Sequence, residues 1–238
     1  RPTTILAAVD ASIGGKTGID LNGLKNEVGA FRMPVGVASV PRFFDTLSDE
    51  EVLSGYGEVY KTAFLAGGVL WKETLKAGMD IRGSRTDIGQ LCAPLGRMKQ
   101  AIASADPREE GLRKVLNLGH TAGHALESLA MTRKPVTHGH AVMAGMLVES
   151  IMARLKGLCG AETVNTTATL LRGNYSPLQI SCNDYPALID LMRHDKKNDS
   201  PEAISFTLPL QPGFVATGCT ATPDEIKAAL DIFRDMTC

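Results

Sequence analysis

Charge of one sign is not in excess in this chain. Its 238 residues carry a formal net charge of −1, which leaves no basic footprint for a nucleic acid. There is no C-x-x-C pair. The five cysteines, Cys92, Cys159, Cys182, Cys219 and Cys238, are dispersed and odd in number. That argues against a disulfide framework and for a reducing, cytoplasmic compartment. Long apolar runs are missing as well, so no membrane span is expected. The stretch from Ala141 to Val148 falls far short of the ~18 residues a span needs. No signal peptide opens the chain, which starts on Arg1-Pro2 rather than Met, as expected of a fragment or a processed product. Internal repeats and low-complexity tracts are absent. The phosphate-loop pattern G-x-x-x-x-G-K-[ST] fails because Asp10 stands where its first glycine belongs. The H-E-x-x-H pattern fails at Thr121, so a zinc-protease reading lacks its general base.

Apolar residues, by contrast, make up 44% of the chain. A chain of this length hides roughly 70–75% of its extended surface, in one domain or two. Histidine is sparse but concentrated. Of five, His120, His124, His138 and His140 fall in residues 109–140, EEGLRKVLNLGHTAGHALESLAMTRKPVTHGH. On one helix, Arg113, Asn117, His120 and His124 form a stripe of cation, amide and two imidazoles. Leu112, Val115, Leu116 and Leu118 lie on the other faces. A helix that turns polar groups inward is costly unless they hold something, here a metal and an anionic substrate. His138-Gly139-His140 then opens an apolar helix. Catalytic zinc takes three protein ligands and keeps one position open, and Glu58, His120 and His138 can fill that role. The blander alternatives are that His124 is a satisfied core histidine and that His140 merely ends a loop.

In chain order, residues 3–10, TTILAAVD, read as a buried strand. Gly14-Gly15 before Lys16 let the backbone approach a ligand closely; the alternative is a tight turn with a surface lysine. Lys25-Asn26 read as a polar loop and residues 35–40, VGVASV, as a second strand. Ser48 to Glu51 is a capping box that starts a helix. On that helix Glu58 and Lys61 lie three apart, either as a surface ion pair or, given their apolar neighbours, as part of a buried site. Gly67-Gly68 interrupts it, and residues 70–77 resume as a short helix. Residues 85–106 are expected to be helical around a break at Pro94, with Lys99 passing for a surface lysine. Residues 162–173 and 185–194 read as helices and 203–217 as a hairpin around Gln211-Pro212-Gly213. Thr222, Pro223 and Glu225 signpost a last helix. The expected fold is mostly α: a strand-rich opening of about 45 residues, then a helical body.

Matches along nearly the whole chain make the sequence similar to the 3-dehydroquinate synthase family. They are PTT (residues 2–4), DASIGGKTGID (10–20), K-N-x-x-G-A-F (25–31), GEVYK (57–61), EEGLRKVLNLGHTAGHALES (109–128), HGHAV (138–142) and DKKND (195–199). The resemblance implies an N-terminal nucleotide-binding α/β domain, of which residues 1–46 are a short β-rich remnant, and a helical metal- and substrate-binding domain over residues 47–238. No G-x-G-x-x-G occurs, in keeping with the loss of most of the first domain. It also implies the conversion of 3-deoxy-D-arabino-heptulosonate 7-phosphate to 3-dehydroquinate in the shikimate pathway, with NAD and Zn2+ or Co2+ as cofactors. The expected partner is this small-molecule sugar phosphate, and the expected assembly a homodimer.

By position, the resemblance makes Glu58, His120 and His138 the metal ligands. It gives Lys16, Asn26, Lys61, Lys99, Arg113, Asn117 and one of Lys196 or Lys197 to the substrate's carboxylate, phosphate and hydroxyls. His124 would sit by the phosphate, although helix spacing alone allows it either role. Asp10 would contact a substrate hydroxyl. Lys99 is placed by its spacing to Asp106, Glu109, Gly111 and Arg113. Thr3, Thr4 and Lys25 would touch NAD, with Phe43 to Thr46 along its adenosine side. One departure stands out: the family usually reads H-G-E-A-V, and His140 here replaces the glutamate, where it can alter the support of the metal ligands or compete as one. The rival readings are another sugar phosphate cyclase acting on glucose 6-phosphate or sedoheptulose 7-phosphate, a distant iron-dependent alcohol dehydrogenase, and an inert metal-binding helical domain. Without the nucleotide domain the chain by itself is expected to be inactive.

Overall fold

The computed structural model describes residues 1–21, 24–194 and 203–237. The helices in these residues are α1 (Asp49–Ala66), α2 (Gly68–Gly78), α3 (Arg85–Ala105), α4 (His120–Met131), α5 (His138–Leu155), α6 (Ala161–Asn174), α7 (Tyr185–His194) and α8 (Pro223–Thr237). Two antiparallel hairpins complete the set: β1 (Ile19–Leu21) with β2 (Leu24–Val28), and β3 (Ile204–Gln211) with β4 (Phe214–Ala221). The fold is mostly helical, and no described helix is long and apolar enough to cross a membrane. The cysteines among the described residues are free.

Helix α1 starts where its sequence says it should. The Glu51 amide donates to Ser48 Oγ (3.2 Å) and the Ser48 amide to Glu51 Oε2 (3.1 Å), which satisfies two otherwise orphaned donors. It stops at Gly67, whose φ of +64° suits glycine. Helix α8 repeats the device with Thr222 and Glu225. Helix α5 is buried on every face from Gly139 to Ala153 and packs against α1, α4, α6, α8 and β3. A helix enclosed this way is largely apolar on every face, as AVMAGMLV supplies, with His140, Glu149 and Ser150 as buried polar residues.

Glycines set how closely α5 meets its neighbours. A Cβ on Gly139 would lie 1.7 Å from the Ser54 carbonyl oxygen of α1, and one on Gly57 would lie 2.2 Å from that of Gly139. On the other side, a Cβ on Gly145 would lie 2.1 Å from the Gly119 carbonyl oxygen at the start of α4. The backbones of α1, α5 and α4 therefore touch, and side chains at the crossings are drawn to a common point.

Several sequence expectations are corrected. Residues 3–10 form no strand. They make a helical turn that widens into a π-turn over Ala7–Ala11, with Ala8 bonded to Thr4 and Ser12 to Ala7. Ile5, Ala8 and Val9 thereby sink onto α1 and α3, with Ile5 fitting the space that Gly55 leaves. Residues 35–40 are not a strand either; Val35 is fully exposed. Lys25 and Asn26 lie on β2, not in a loop. Among the described residues the opening is thus not strand-rich, its one sheet being the β1–β2 hairpin. Pro94 does not break α3, which runs through it. Pro94 and the exposed Gln90, whose carbonyl loses its partner, lie on the less buried side of the helix. The single helix carrying Arg113 and His120 is also not found. Leu112–Asn117 is a 3-10 turn, and Gly119 at φ +76° breaks the chain before α4.

Candidate metal centre and the cavity above it

Three side chains meet where α1, α4 and α5 cross. Glu58 comes from the middle of α1 and is fully buried; His120 and His138 are the first residues of α4 and α5. Glu58 Oε1 lies 3.3 Å from His120 Nε2 and 3.3 Å from His138 Nε2. One ligand atom from each residue falls within 4.8 Å of the others, the one such group of His, Cys, Asp or Glu among the described residues. A tetrahedral ion with bonds of about 2.0–2.1 Å spaces its ligands by about 3.3 Å, so these separations suit zinc.

The far ring nitrogens decide which atoms face the centre. His120 Nδ1 is 3.0 Å from the Leu118 carbonyl oxygen, and His138 Nδ1 is 3.3 Å from Glu127 Oε2. Each Nδ1–H then donates to an oxygen, and in a neutral ring the Nε2 lone pair points at Glu58. Two lone pairs and a carboxylate converging on one point repel unless a cation stands among them. In the metal-free protein the balance differs between the rings. Burial, with Lys61 adding to it, pushes His120 down to about 4. For His138 burial is outweighed by Glu127 and Glu58, and the ring is pushed up to about 9; a proton there does part of a cation's work. Burial alone would raise Glu58, but Lys61, His120 and His138 hold it well below the usual carboxylate range.

Above this centre opens a cavity of about 320 Å³. Asp10, Lys16, Lys61, Lys99, Arg113, Asn117 and His124 line it together with His120 and His138. Lys61 Nζ is 2.6 Å from Glu58 Oε2 and 3.6 Å from Asp10 Oδ1. Desolvation works against its charge, but these two carboxylates raise its pKa overall. The pair is no surface ion pair, since both side chains are essentially inaccessible. Lys99, which passes for a surface lysine in the sequence, is 7% exposed and bonded to Asp10; desolvation lowers its pKa despite that partner. Arg113 is buried and donates to the Gly14 carbonyl at 2.7 Å, which fixes the glycine loop before Lys16. Lys16 pairs with Glu109, and Asn117 Nδ2 donates to Glu109 Oε1 at 2.5 Å.

The remaining expected site residues lie elsewhere. Thr3, Phe43 and Thr46 are exposed, and the Thr4 hydroxyl accepts the Ala7 amide. None of them lines the cavity. The Lys25 and Asn26 side chains, and Lys196 and Lys197 altogether, lie outside the described residues. His140 does not compete for the metal centre. It is buried against Tyr175, ring centroids 5.0 Å apart, and burial pushes it down to about 4. Glu127, not residue 140, backs His138. Sequence reasoning passed over Glu127, although it lies seven residues beyond His120 and hence on the same helical face. It used Glu109 only for spacing. That residue holds φ at +62°, a region few side chains with a Cβ adopt, and its carboxylate occupies two donors of the cavity.

Comparisons with known proteins bear on the family and the fold. The family model described as 3-dehydroquinate synthase N-terminal matches residues 1–54, and the one described as 3-dehydroquinate synthase C-terminal matches residues 55–198. The two meet inside α1. A curated 3-dehydroquinate synthase of Parabacteroides distasonis is 38% identical over 237 residues, covering 98% of this chain and 66% of the relative. That of Alkaliphilus metalliredigens is 36% identical, covering 96% and 64%. The chain thus spans about two thirds of the length of these relatives. In fold it resembles 2-epi-5-epi-valiolone synthase from Streptomyces hygroscopicus subsp. jinggangensis, solved with NAD+ and Zn2+ bound (TM-score 0.83, 23% identity, 98% of this chain and 65% of the other). It also resembles 2-deoxy-scyllo-inosose synthase complexed with carbaglucose-6-phosphate, NAD+ and Co2+ (TM-score 0.82, 23% identity, 98% and 65%). With the C-terminal model alone covering most of the chain and the N-terminal one reaching it without a gap, this protein belongs to the 3-dehydroquinate synthase family.

Proposed function

We propose that the chain is the metal- and substrate-holding part of a 3-dehydroquinate synthase. The enzyme would be a lyase of the shikimate pathway that closes 3-deoxy-D-arabino-heptulosonate 7-phosphate to 3-dehydroquinate with loss of phosphate. Residues 1–46 would end its nucleotide-binding domain and residues 47–238 form its helical domain, in a cytoplasmic homodimer. The observation that carries the reading is the juxtaposition of the Glu58–His120–His138 centre with a cavity walled by Lys16, Lys61, Lys99 and Arg113.

The donor set fits Zn2+ or Co2+: Glu58, His120 and His138 would hold it, leaving a position open toward the cavity. When bound, the ion supplies Lewis-acid polarisation of substrate hydroxyls. Asp10 holds the Lys61 and Lys99 ammonium groups side by side, where they meet a phosphate or carboxylate without having to be ordered first. Arg113, Asn117 and His124 would complete the grip, with Asn26 and one of Lys196 or Lys197 joining it. Glu109 engages Lys16 and Asn117 at the cavity wall. An arriving substrate anion would replace that carboxylate. Burial makes the Lys99 ammonium easier to deprotonate than that of an exposed lysine, which suits it to donate a proton into the cavity.

NAD would supply hydride transfer. The described residues do not by themselves make a cradle for it; Thr3, Thr4, Lys25, Phe43 and Thr46 would edge the nucleotide from one side. The test compares two proteins, this 238-residue chain and the same chain preceded by the nucleotide-binding part of the Parabacteroides relative. Each receives NAD, zinc and one of three substrates: the heptulosonate phosphate, glucose 6-phosphate or sedoheptulose 7-phosphate. Products are read by mass spectrometry. Dehydroquinate from the joined protein only is expected. An inosose or valiolone product assigns the chain to another cyclase, and turnover by the shorter chain refutes its proposed dependence on the missing part. His120→Ala should abolish stoichiometric zinc; undiminished zinc by elemental analysis rejects the ligand set.

A further inference from the structure

We propose that Glu149, eleven residues beyond His138 on α5, is a positioning residue for the metal centre. It acts on His120 through the single peptide group between Leu118 and Gly119. The proposal rests on the reading of Glu58, His120 and His138 as metal ligands.

The geometry is that of a relay. Glu149 is completely buried. Its Oε2 accepts the Gly119 amide at 2.5 Å. The other end of the same peptide unit, the Leu118 carbonyl, accepts from His120 Nδ1 at 3.0 Å. The N–H and C=O of a trans peptide point in opposite directions across one rigid plane. Carboxylate, peptide, imidazole and metal position therefore form one line of hydrogen bonds. A carboxylate pulling on the N–H polarises the C=O, and the stronger acceptor fixes the Nδ1–H tautomer of His120 and makes its Nε2 a better donor to a cation. The two histidine ligands are then backed alike: His138 by Glu127 directly, His120 by Glu149 through one peptide.

The sequence is shaped for this contact. Gly119 holds the position that would cap α4, and a residue there with a side chain would collide. A Cβ would lie 2.8 Å from Met146 Cγ and 3.0 Å from the Val142 carbonyl oxygen, at a φ of +76°. Glu149 Oε1 supplies the missing acceptor to the Ala122 amide at 3.4 Å. Val142, Gly145, Met146 and Glu149 are spaced i, i+3, i+4 and i+7, a single stripe of α5 that faces the Gly119 turn. A carboxylate taken this far from water is costly unless it serves fixed donors, and one donor it serves, at 2.5 Å, is the peptide that orients a metal ligand.

The variant Glu149→Gln keeps the shape but presents an NH2 where one of the two amides needs an acceptor. Zinc affinity is measured by competition with a chelator well below the unfolding temperature. The visible spectrum of the Co2+-loaded chain and the Nδ1-bound proton of His120 by NMR are read alongside. We expect a folded variant with about 10- to 100-fold weaker zinc binding, an altered Co2+ spectrum and a faster-exchanging His120 Nδ1 proton. A cap with no role beyond holding α4 would lower thermal stability and leave the His120 proton and the Co2+ bands alone; that result overturns the relay. If the variant does not fold, the metal-free wild-type chain decides. A slowly exchanging His120 Nδ1 proton together with a strongly downfield Gly119 amide proton supports the relay, and absence of either overturns it. A wild-type chain that takes up no stoichiometric zinc refutes the metal site itself, a failure distinct from wild-type binding that Glu149→Gln leaves unchanged.

Discussion

The crossing of α1, α4 and α5 and the first 46 residues hold their shapes on different terms. At the crossing, backbone meets backbone through Gly57, Gly139, Gly119 and Gly145, and polar side chains are buried because they serve one another. In the first 46 residues a few apolar side chains, Ile5, Ala8, Val9 and Phe44, anchor the segment to the body, while Phe31, Met33, Val35, Val37 and Val40 stay exposed. Close-packed backbones leave a site no freedom to adjust, which a metal centre needs. A segment held by scattered anchors borrows its conformation from what it leans on. Substitutions at the crossing should therefore cost both stability and metal, and substitutions in the first segment should cost stability only at its anchors.

The largest effect should follow Gly139→Ala. The added methyl has nowhere to go but into the Ser54 carbonyl, 1.7 Å from the ideal Cβ position, and α1 and α5 must separate. Their separation carries Glu58 away from His138. We expect a loss of about 4 kcal/mol or more, the range reserved for severe overpacking, together with loss of zinc. Denaturant unfolding and elemental analysis check both. A stable variant with wild-type zinc would mean that the crossing is not what sets the site. Next comes Phe44→Ala, on the other side of the comparison. Phe44 is 1% exposed and packs into the core, so about 3 kcal/mol should be lost, with zinc stoichiometry retained in the protein that remains folded.

The same contrast explains which parts were legible in the sequence. Helices α1 and α8 announce themselves through residues that bond to their own first turn, Ser48 with Glu51 and Thr222 with Glu225. Such signals need no tertiary structure. The run TTILAAVD carries no cap and is too short for periodicity to separate a strand from a buried helical turn; Gly55 of α1, with its room for Ile5, favours the helix. The stripe from Arg113 to His124 misled because the contact of Gly119 with α5, far along the chain, turns the backbone there. Glu58, His120 and His138 were offered as a zinc set from the three-ligand rule and assigned by resemblance, since no periodicity links Glu58 to residues so far along the chain. Glu127 and Glu149 were passed over because a carboxylate on an apolar helix gains meaning only from what it crosses.

A smaller effect is expected of Glu127→Gln, which tests whether support of a ligand can be separated from packing. The amide can still bond to His138 Nδ1 but no longer carries charge, so His138 becomes a weaker donor to the metal. Zinc affinity should fall about 10- to 100-fold, equal to about 1.4–2.8 kcal/mol of binding energy, while the unfolding midpoint of the metal-free protein changes little once the pH is above about 9, where His138 is neutral and its ion pair with Glu127 no longer stabilises the fold. Chelator competition and thermal unfolding read the two quantities separately. Equal losses in both would merge ligand support with packing and weaken the contrast drawn above.

The smallest effect belongs to Val35→Ser. Val35 is fully exposed in a stretch without a strand partner among the described residues, so its methyl groups give up no water on folding. The substitution should leave stability within about 0.5 kcal/mol of the original and zinc binding unchanged, as read by urea unfolding and metal titration. This near-zero value is informative because Phe44→Ala, nine residues away, is expected to be costly. If Val35→Ser instead destabilised the 238-residue chain strongly, residues 31–40 would be held by contacts beyond Ile5, Ala8, Val9 and Phe44. The first segment would then owe its conformation to itself and not to the helices beneath it.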